Sequence, residues 1–520
     1  MTLTRAPARV SLLAWACATI ALGVGAVKIV STVLAPGPFR LLAFNSDDVH
    51  YYVLTALHAA AGDGSTFDGI TPTNGYQPLW FLLLTAVFRV LGVDRAGAYT
   101  ATIAVLVVLW VAALALLYRL GREVLGTVGT LAGLVGFLVH ARWWTGCENA
   151  LAVVLLLGVV LLVLTRPVLV GAPSTRAVAW LGVLLALLVL ARLDTAVLVG
   201  VLALVSLWRW RERRGVLLVL LAGPAAVTLG AYALVDQLVF GVPVPVSGLA
   251  KQLGPLGQNW SVLRDFLLYG QLGPLPLLFG VSVVVAGGVA FALLGRALPS
   301  PLGEHAPVVR DVLAVLLLAQ AGQLLYYAVM SSWELQSWYF SFGLVALVIA
   351  LGVIGARLSA VRFVPHVVLG ALALALLVVT AHEATALDPG PPDASPYAAD
   401  IAAGQWADAA LPPGTVLAMG DWAGTLAAST RHPVVQLEGL VTSPEYLRAL
   451  QDGTARSWLA DQGVTHYARL THPGETVGCR VDEPYFGLGP RVAFDVCGRP
   501  LVYRGTVQGV IELLVWDVRR

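Results

Sequence analysis

Charge is scarce in this sequence: Asp, Glu, Lys and Arg make up 12% of 520 residues, and lysine occurs only at Lys28 and Lys251. Arginine therefore carries nearly all the positive charge, and a net charge of +2 provides no basic surface for nucleic acid. Cysteine is also sparse, with four residues, no C-x-x-C pair and no His/Cys spacing of a zinc site. Neither a Walker A sequence nor a strand-led G-x-G-x-x-G occurs, which counts against ATP-driven pumps and enzymes that take soluble nucleotide sugars. No internal repeat is evident, which counts against a transporter or lipid flippase built from inverted halves.

Apolar residues fill the space that charge leaves. They form 58% of the chain, and a mean hydropathy of +0.81 marks an integral membrane protein. Arg5 and Arg9 precede an apolar run at 11–35, the pattern of a signal anchor with a cytoplasmic N-terminus. Further spans are predicted near 97–117, 124–140, 149–165, 177–191, 193–208, 215–240, 273–295, 309–329, 338–356 and 363–382. With the anchor this makes about eleven spans of roughly twenty residues each. Arginines at 119, 122, 166, 176, 209–214, 296, 310, 357 and 362 share the cytoplasmic side only if 78–92 does not cross. That short segment, which carries Arg89, is predicted to be an oblique, re-entrant or juxtamembrane helix on the outer side.

One long polar stretch interrupts the first half, FNSDDVHYYVLTALHAAAGDGSTFDGITPTNGYQPLW at 44–80. Asn45 or Ser46 can cap a helix whose first turn holds Asp47 and Asp48, and the helix should stop near Gly62. Val49, Tyr52, Val53, Ala56, Leu57 and Ala60 follow a helical apolar period, with Asp47, Tyr51, Thr55 and His58 on another side. This predicts a helix lying along a membrane surface. The same side collects HARWWTGCEN at 140–149, ARLDT at 191–195, GVPVPVSGLAKQ at 241–252 and SSWELQSWY at 331–339. Charged groups near hydrocarbon cost about 2.5–3.5 kcal/mol each on insertion scales, so their convergence on one face marks a candidate site. Simple pairing of Arg192 with Asp194 is the structural alternative.

From about residue 384 the composition becomes that of a soluble α/β unit. PGPPDASP at 389–396 is a linker, and Ser395 can cap a helix running through Asp408. Strands are predicted at TVLAMG, PVVQL, VTHYARL, RVAFDV and the final VQGVIELLVWDVRR, with helices at 443–451 and 455–462. Odd parity places this unit, residues 385–520, outside, where Cys479 and Cys497 could form a disulfide. Residues 1–384 form the membrane portion, with a first outer loop at 36–77.

The acidic pair in NSDDVHYYV, then GDGSTFDGITPTNGYQPLW, TGCEN, ARLDT and GVPVPVSGLAK, followed by an outer α/β unit, resembles the GT-C fold membrane glycosyltransferases. Within them it is similar to the bacterial branch of arabinofuranosyltransferases and protein mannosyltransferase-like enzymes. The resemblance implies a polyprenyl-phosphate sugar as donor, transfer outside the bacterial plasma membrane, and a glycan, lipid or protein hydroxyl as acceptor. It also implies an acidic catalytic base in the first outer loop. Either Asp47 or Asp48 could take the acceptor proton; the resemblance favours Asp47, with Asp48 orienting the acceptor or the neighbouring helix. A single base implies inversion by single displacement. Lys251, then Arg192 and Arg142, are candidates for the leaving phosphate. Glu148 can bind the acceptor or assist the base, while His50, Tyr51, Tyr76 and Trp338 can line the substrate path. No metal or other cofactor is expected. The competing readings are a transporter of lipid-linked glycan and a non-catalytic envelope-assembly protein.

Overall fold

The computed structural model describes residues 12–35, 41, 44, 46–140, 143–166, 168–169, 173–210, 212–257, 259–260, 274–359, 371, 374–375, 378, 397–484, 489–507 and 511–519. The span expected at 363–382 lies almost entirely outside the described residues, as do Asn45, Ser395 and the linker.

The membrane portion contains α1 (Leu12–Leu34), α2 (Asp48–Ala61), α3 (Pro78–Leu91), α4 (Arg95–Leu120), α5 (Gly126–His140), α6 (Asn149–Thr165) and α7 (Thr175–Ala191). It continues with α8 (Ala196–Arg209), α9 (Arg214–Phe240), the short α10 (Val246–Ala250), α11 (Pro274–Leu293), α12 (Leu302–Met330) and α13 (Ser341–Ser359). The chain is a multi-pass membrane protein. Its helices turn Trp208, Val108, Val227 and Leu238 outward, apolar side chains at least two-thirds exposed that only lipid would solvate favourably.

The long helices alternate in direction, and their two ends differ in charge. At one end Arg209 pairs with Asp311 at 2.8 Å, Arg357 donates to the carbonyl of Ala297, and the Arg310 guanidinium lies 5.9 Å from the Phe291 ring. At the other end lie Glu148, Arg192, Lys251 and Tyr339. Helix α3 begins and finishes at this second end. The amide of Gln77, just before it, donates to Tyr52 Oη, and Arg95, just after it, donates to the carbonyl of Thr430. Its 14 residues extend about 21 Å, short of a full hydrocarbon core of about 30 Å. Helix α3 is therefore too short to cross, and Arg209, Arg310 and Arg357 gather at the end of the bundle opposite to it.

Helix α2 departs from the expected surface helix. It stops where predicted, at Gly62 with φ 98°, a left-handed geometry that glycine adopts without strain. Every residue from Val49 to Ala56, however, is buried, Val49, Val53, Thr55 and Ala56 completely. A second layer covers the side that amphipathicity assigned to water.

That layer is the C-terminal unit, built from α14 (Ala398–Ala410), β1 (Val416–Met419), α15 (Ala423–Ser429), β2 (Val434–Gln436), α16 (Pro444–Gln451), α17 (Ala455–Asp461) and β3 (Val464–Thr471). β4 (Arg480–Glu483), β5 (Val492–Asp495), β6 (Leu501–Val507) and β7 (Ile511–Asp517) complete it. The main sheet has the order β2-β1-β3-β7-β6; β1 is parallel to β2 and β3, whereas β7 is antiparallel to β3 and β6. Helix α16 matches the helix expected at 443–451, and Ser443 caps it by accepting from Tyr446 N. The expected last strand proves to be the second arm of a pair, and β4, β6 and α15 were not anticipated. Cys479 and Cys497 form a disulfide with Cα atoms 4.6 Å apart, tying the β4–β5 pair together.

The two portions meet closely at Gly75. A Cβ there would collide with the carbonyl oxygen of Leu440, and no flexible side chain could yield. Gly75→Ala is therefore expected to destabilise the protein by about 1–3 kcal/mol through overpacking, read as a lowered Tm in detergent. An unchanged Tm would contradict this contact.

Candidate active site

A cavity of about 550 Å³ opens where the membrane helices meet the C-terminal unit. Loops between helices supply most of its polar side chains, because loop backbone needs partners that hydrocarbon does not provide. Asp48 enters from the first turn of α2, Glu148 from the residue before α6, Arg192 and Asp194 from the α7–α8 turn, and Lys251 from the end of α10. Leu440 and Val441 of the C-terminal unit form part of the wall.

Arg192 organises this constellation and is 2% exposed. Its Nε and Nη2 donate to the two oxygens of Asp194 at 3.0 and 2.9 Å, and Nη1 reaches Glu148 Oε1 at 3.2 Å. Gln323 Nε2 and Tyr327 Oη donate to Asp194 Oδ2 at 2.7 and 2.8 Å, and Tyr52 Oη donates to Glu148 Oε2 at 2.7 Å. The pairing of Arg192 with Asp194 is real, and the pair also faces the cavity. Lys251 Nζ donates to Tyr339 Oη at 2.7 Å and forms no ion pair among the described residues. Tyr339 also stacks beneath the Arg192 guanidinium, 4.6 Å away.

The two adjacent aspartates have different surroundings. Asp48 lines the cavity, with its pKa pushed up to about 7, first by burial and then by the charge of Asp47, against the opposing pull of Lys251. Asp47 is not a lining residue. Its Oδ2 accepts from Gly424 N at 3.0 Å, and its Oδ1 accepts from Thr425 N and Thr425 Oγ1, both at 2.6 Å. Burial pushes its pKa up to about 6, with the Thr425 hydrogen bonds opposing that shift. Ser46 Oγ accepts from Asp48 N at 3.2 Å, but the cap position is Asp47 rather than Ser46, so the first turn of α2 holds Asp48 and not both aspartates.

His50 also differs from expectation. Its Nδ1 lies 2.9 Å from Tyr99 Oη, burial pushes its pKa down to about 3, and it does not line the cavity. It is a neutral packing residue because α2 rotates that position toward α4. Tyr51, Tyr76 and Trp338 do line the cavity, joined by Tyr52, Tyr232 and Tyr326. Arg142 lies outside the described residues. Among those residues no group of three or more His, Cys, Asp or Glu side chains is arranged to hold a metal ion. Asp194, Tyr339 and Gln323 were missed as site residues. The available signal was Gln320 and Gln323, two glutamines within an apolar span.

Removing the cation should cost far more than neutralising an acid. Arg192→Ala leaves two buried carboxylates unpaired and is expected to destabilise the fold by about 3–5 kcal/mol. Glu148→Gln keeps hydrogen-bonding atoms and should cost less. Comparing both Tm values checks this order, and equal losses would contradict it.

No protein-family profile and no characterised sequence matches the chain. Its fold has solved counterparts. ArnT from Cupriavidus metallidurans bound to undecaprenyl phosphate aligns with a TM-score of 0.53 at 11% identity, covering 97% of this chain and 98% of that one. The same enzyme in its apo state gives 0.56 at 12% identity, covering 96% and 97%. The arabinofuranosyltransferase AftD from Mycobacteria gives 0.48 at 16% identity, with this chain covering 42% of it. The likeness to ArnT extends over nearly the whole of both chains, and it shows a GT-C-like fold.

Proposed function

We propose that this protein is a membrane glycosyltransferase that moves a sugar from a polyprenyl-phosphate donor to an acceptor hydroxyl. The acceptor would be an envelope glycan, lipid or protein. The observation that carries this reading is one cavity holding a carboxylate, Asp48, and an ammonium, Lys251, that forms no ion pair among the described residues. A counterpart of the same fold carries undecaprenyl phosphate. The C-terminal unit and the cavity would face the extracytoplasmic side, opposite the arginine-rich loops.

Asp48 is the base in this mechanism rather than Asp47, whose carboxylate is occupied by Gly424 and Thr425. A carboxyl with a pKa of about 7 is poised to accept a proton near neutral pH. It takes the acceptor's O–H proton as the oxygen attacks the anomeric carbon. The bond from that carbon to the phosphate oxygen breaks, and the electron pair leaves with the polyprenyl phosphate. Lys251 meets the charge growing on that phosphate. Arg192 is held by two carboxylates and serves mainly to fix Glu148 and Asp194 at the rim. Attack and departure on opposite faces give inversion, and the tyrosines and Trp338 provide stacking surfaces for sugar rings.

The decisive assay uses membranes containing the protein and labelled polyprenyl-phosphate sugars. Wild type should transfer label, and Asp48→Asn should lose about a hundred- to ten-thousand-fold in rate while retaining its fold. Transfer only from a nucleotide sugar, or undiminished transfer by Asp48→Asn, would overturn the reading. A base must be ionised, so kcat/KM should rise with pH through about 7 and fall away on the acid side. An acid limb centred near pH 4 would point to a carboxylate with an ordinary pKa.

A further inference from the structure

We infer that Asp47 is a positioning residue: it latches the C-terminal unit onto the start of α2 and so fixes the setting of Asp48. The inference rests on the proposed role of Asp48 for its kinetic consequence, whereas the latch rests on hydrogen bonds alone.

Three donors on Gly424 and Thr425 converge on one carboxylate, at 3.0, 2.6 and 2.6 Å. The contact joins residues separated by 377 and 378 positions in the chain. Asp47 is 7% exposed, so water does not compete for its oxygens. A Cβ at Gly424 would approach both the backbone oxygen and Oδ2 of Asp47, so glycine is what permits the close approach. Trp422, just before α15, is held at φ 62°, which a bulky residue adopts only when its surroundings enforce it. Its ring packs against Tyr397, centroids 4.8 Å apart. Together these contacts present the Gly424 and Thr425 donors to α2 in one orientation. Because Asp47 immediately precedes Asp48, whatever holds the first sets the position of the second.

The same contact has an electrostatic consequence. Ionisable groups face Asp47 from α2, α4 and the C-terminal unit: Asp48 and Tyr51 on α2, Tyr99 on α4, and Tyr397, Asp400, Asp421 and Glu438 on the C-terminal unit. Hydrogen bonds from Thr425 favour the charged form of Asp47, and that charge disfavours ionisation of Asp48. Weakening the latch should therefore protonate Asp47 more readily and let Asp48 ionise at lower pH. A purely structural contact would lower activity without moving the pH profile.

The test uses the full chain in lipid nanodiscs and the variants Thr425→Val, Thr425→Ser and Asp47→Asn. Backbone amide exchange across residues 423–429 should accelerate about tenfold in Thr425→Val and Asp47→Asn, since each loses a hydrogen bond to a charged group. The acid-limb midpoint of transfer should fall by about 1 pH unit in both. Thr425→Ser keeps the hydroxyl and should restore wild-type behaviour in both measurements. Wild-type exchange in Thr425→Val would overturn the latch. Faster exchange with an unmoved or raised midpoint would overturn the coupling to Asp48. Absence of transfer by wild type would instead sink the proposed function, leaving the exchange comparison to decide the latch.

Discussion

A single buried guanidinium holds this architecture together at the site. Arg192 cannot shed its charge, and burying it among apolar helices would be prohibitive without partners. Asp194 and Glu148 satisfy it from two different inter-helix junctions, while Gln323 and Tyr327 of α12 satisfy Asp194 in turn. The ends of α6, α7, α8 and α12 are therefore fixed relative to one another by charge-assisted hydrogen bonds, which are directional where apolar packing is not. Tyr339 links this cluster to Lys251, so the ammonium that donates to it inherits the same rigidity.

The C-terminal unit is part of the site rather than an appendage. It contributes Leu440 and Val441 to the cavity wall, and Gly75 and Gly424 mark two places where backbones of the two portions approach too closely for a side chain. Burial, together with the neighbouring charge of Asp47, pushes the pKa of Asp48 up to about 7. An environment of that kind suits proton abstraction.

Much of the membrane portion was legible because hydrocarbon imposes a simple rule. The run at 149–165 coincides with α6, and 177–191 and 215–240 fall within two residues of α7 and α9. Arginine placement identified α3 as the segment that does not cross, since charge segregation depends on parity rather than on side-chain detail. Helix α2 was placed correctly in sequence but misread in depth, because periodicity records which face is apolar and cannot show that a distant segment covers the other face. The same limit governed the site. Seven of the candidate side chains, among them Asp48, Glu148, Arg192 and Lys251, line one cavity. The choice between Asp47 and Asp48 depended on α15, whose GDWAGTLAAST sequence reads as a strand-to-loop junction. Its partner lies 377 positions away. Local pattern carries no trace of such a contact.

The central proposal is that Asp48 and Lys251 serve the two sides of one displacement, the attacking hydroxyl and the departing phosphate, and the most direct measurement is an experimental structure with undecaprenyl phosphate bound. Phosphate density within hydrogen-bonding distance of Lys251 Nζ, inside the cavity lined by Asp48, is the expected result. Phosphate bound at the arginine-rich end of the bundle, or on a lipid-facing surface remote from Asp48, would contradict it.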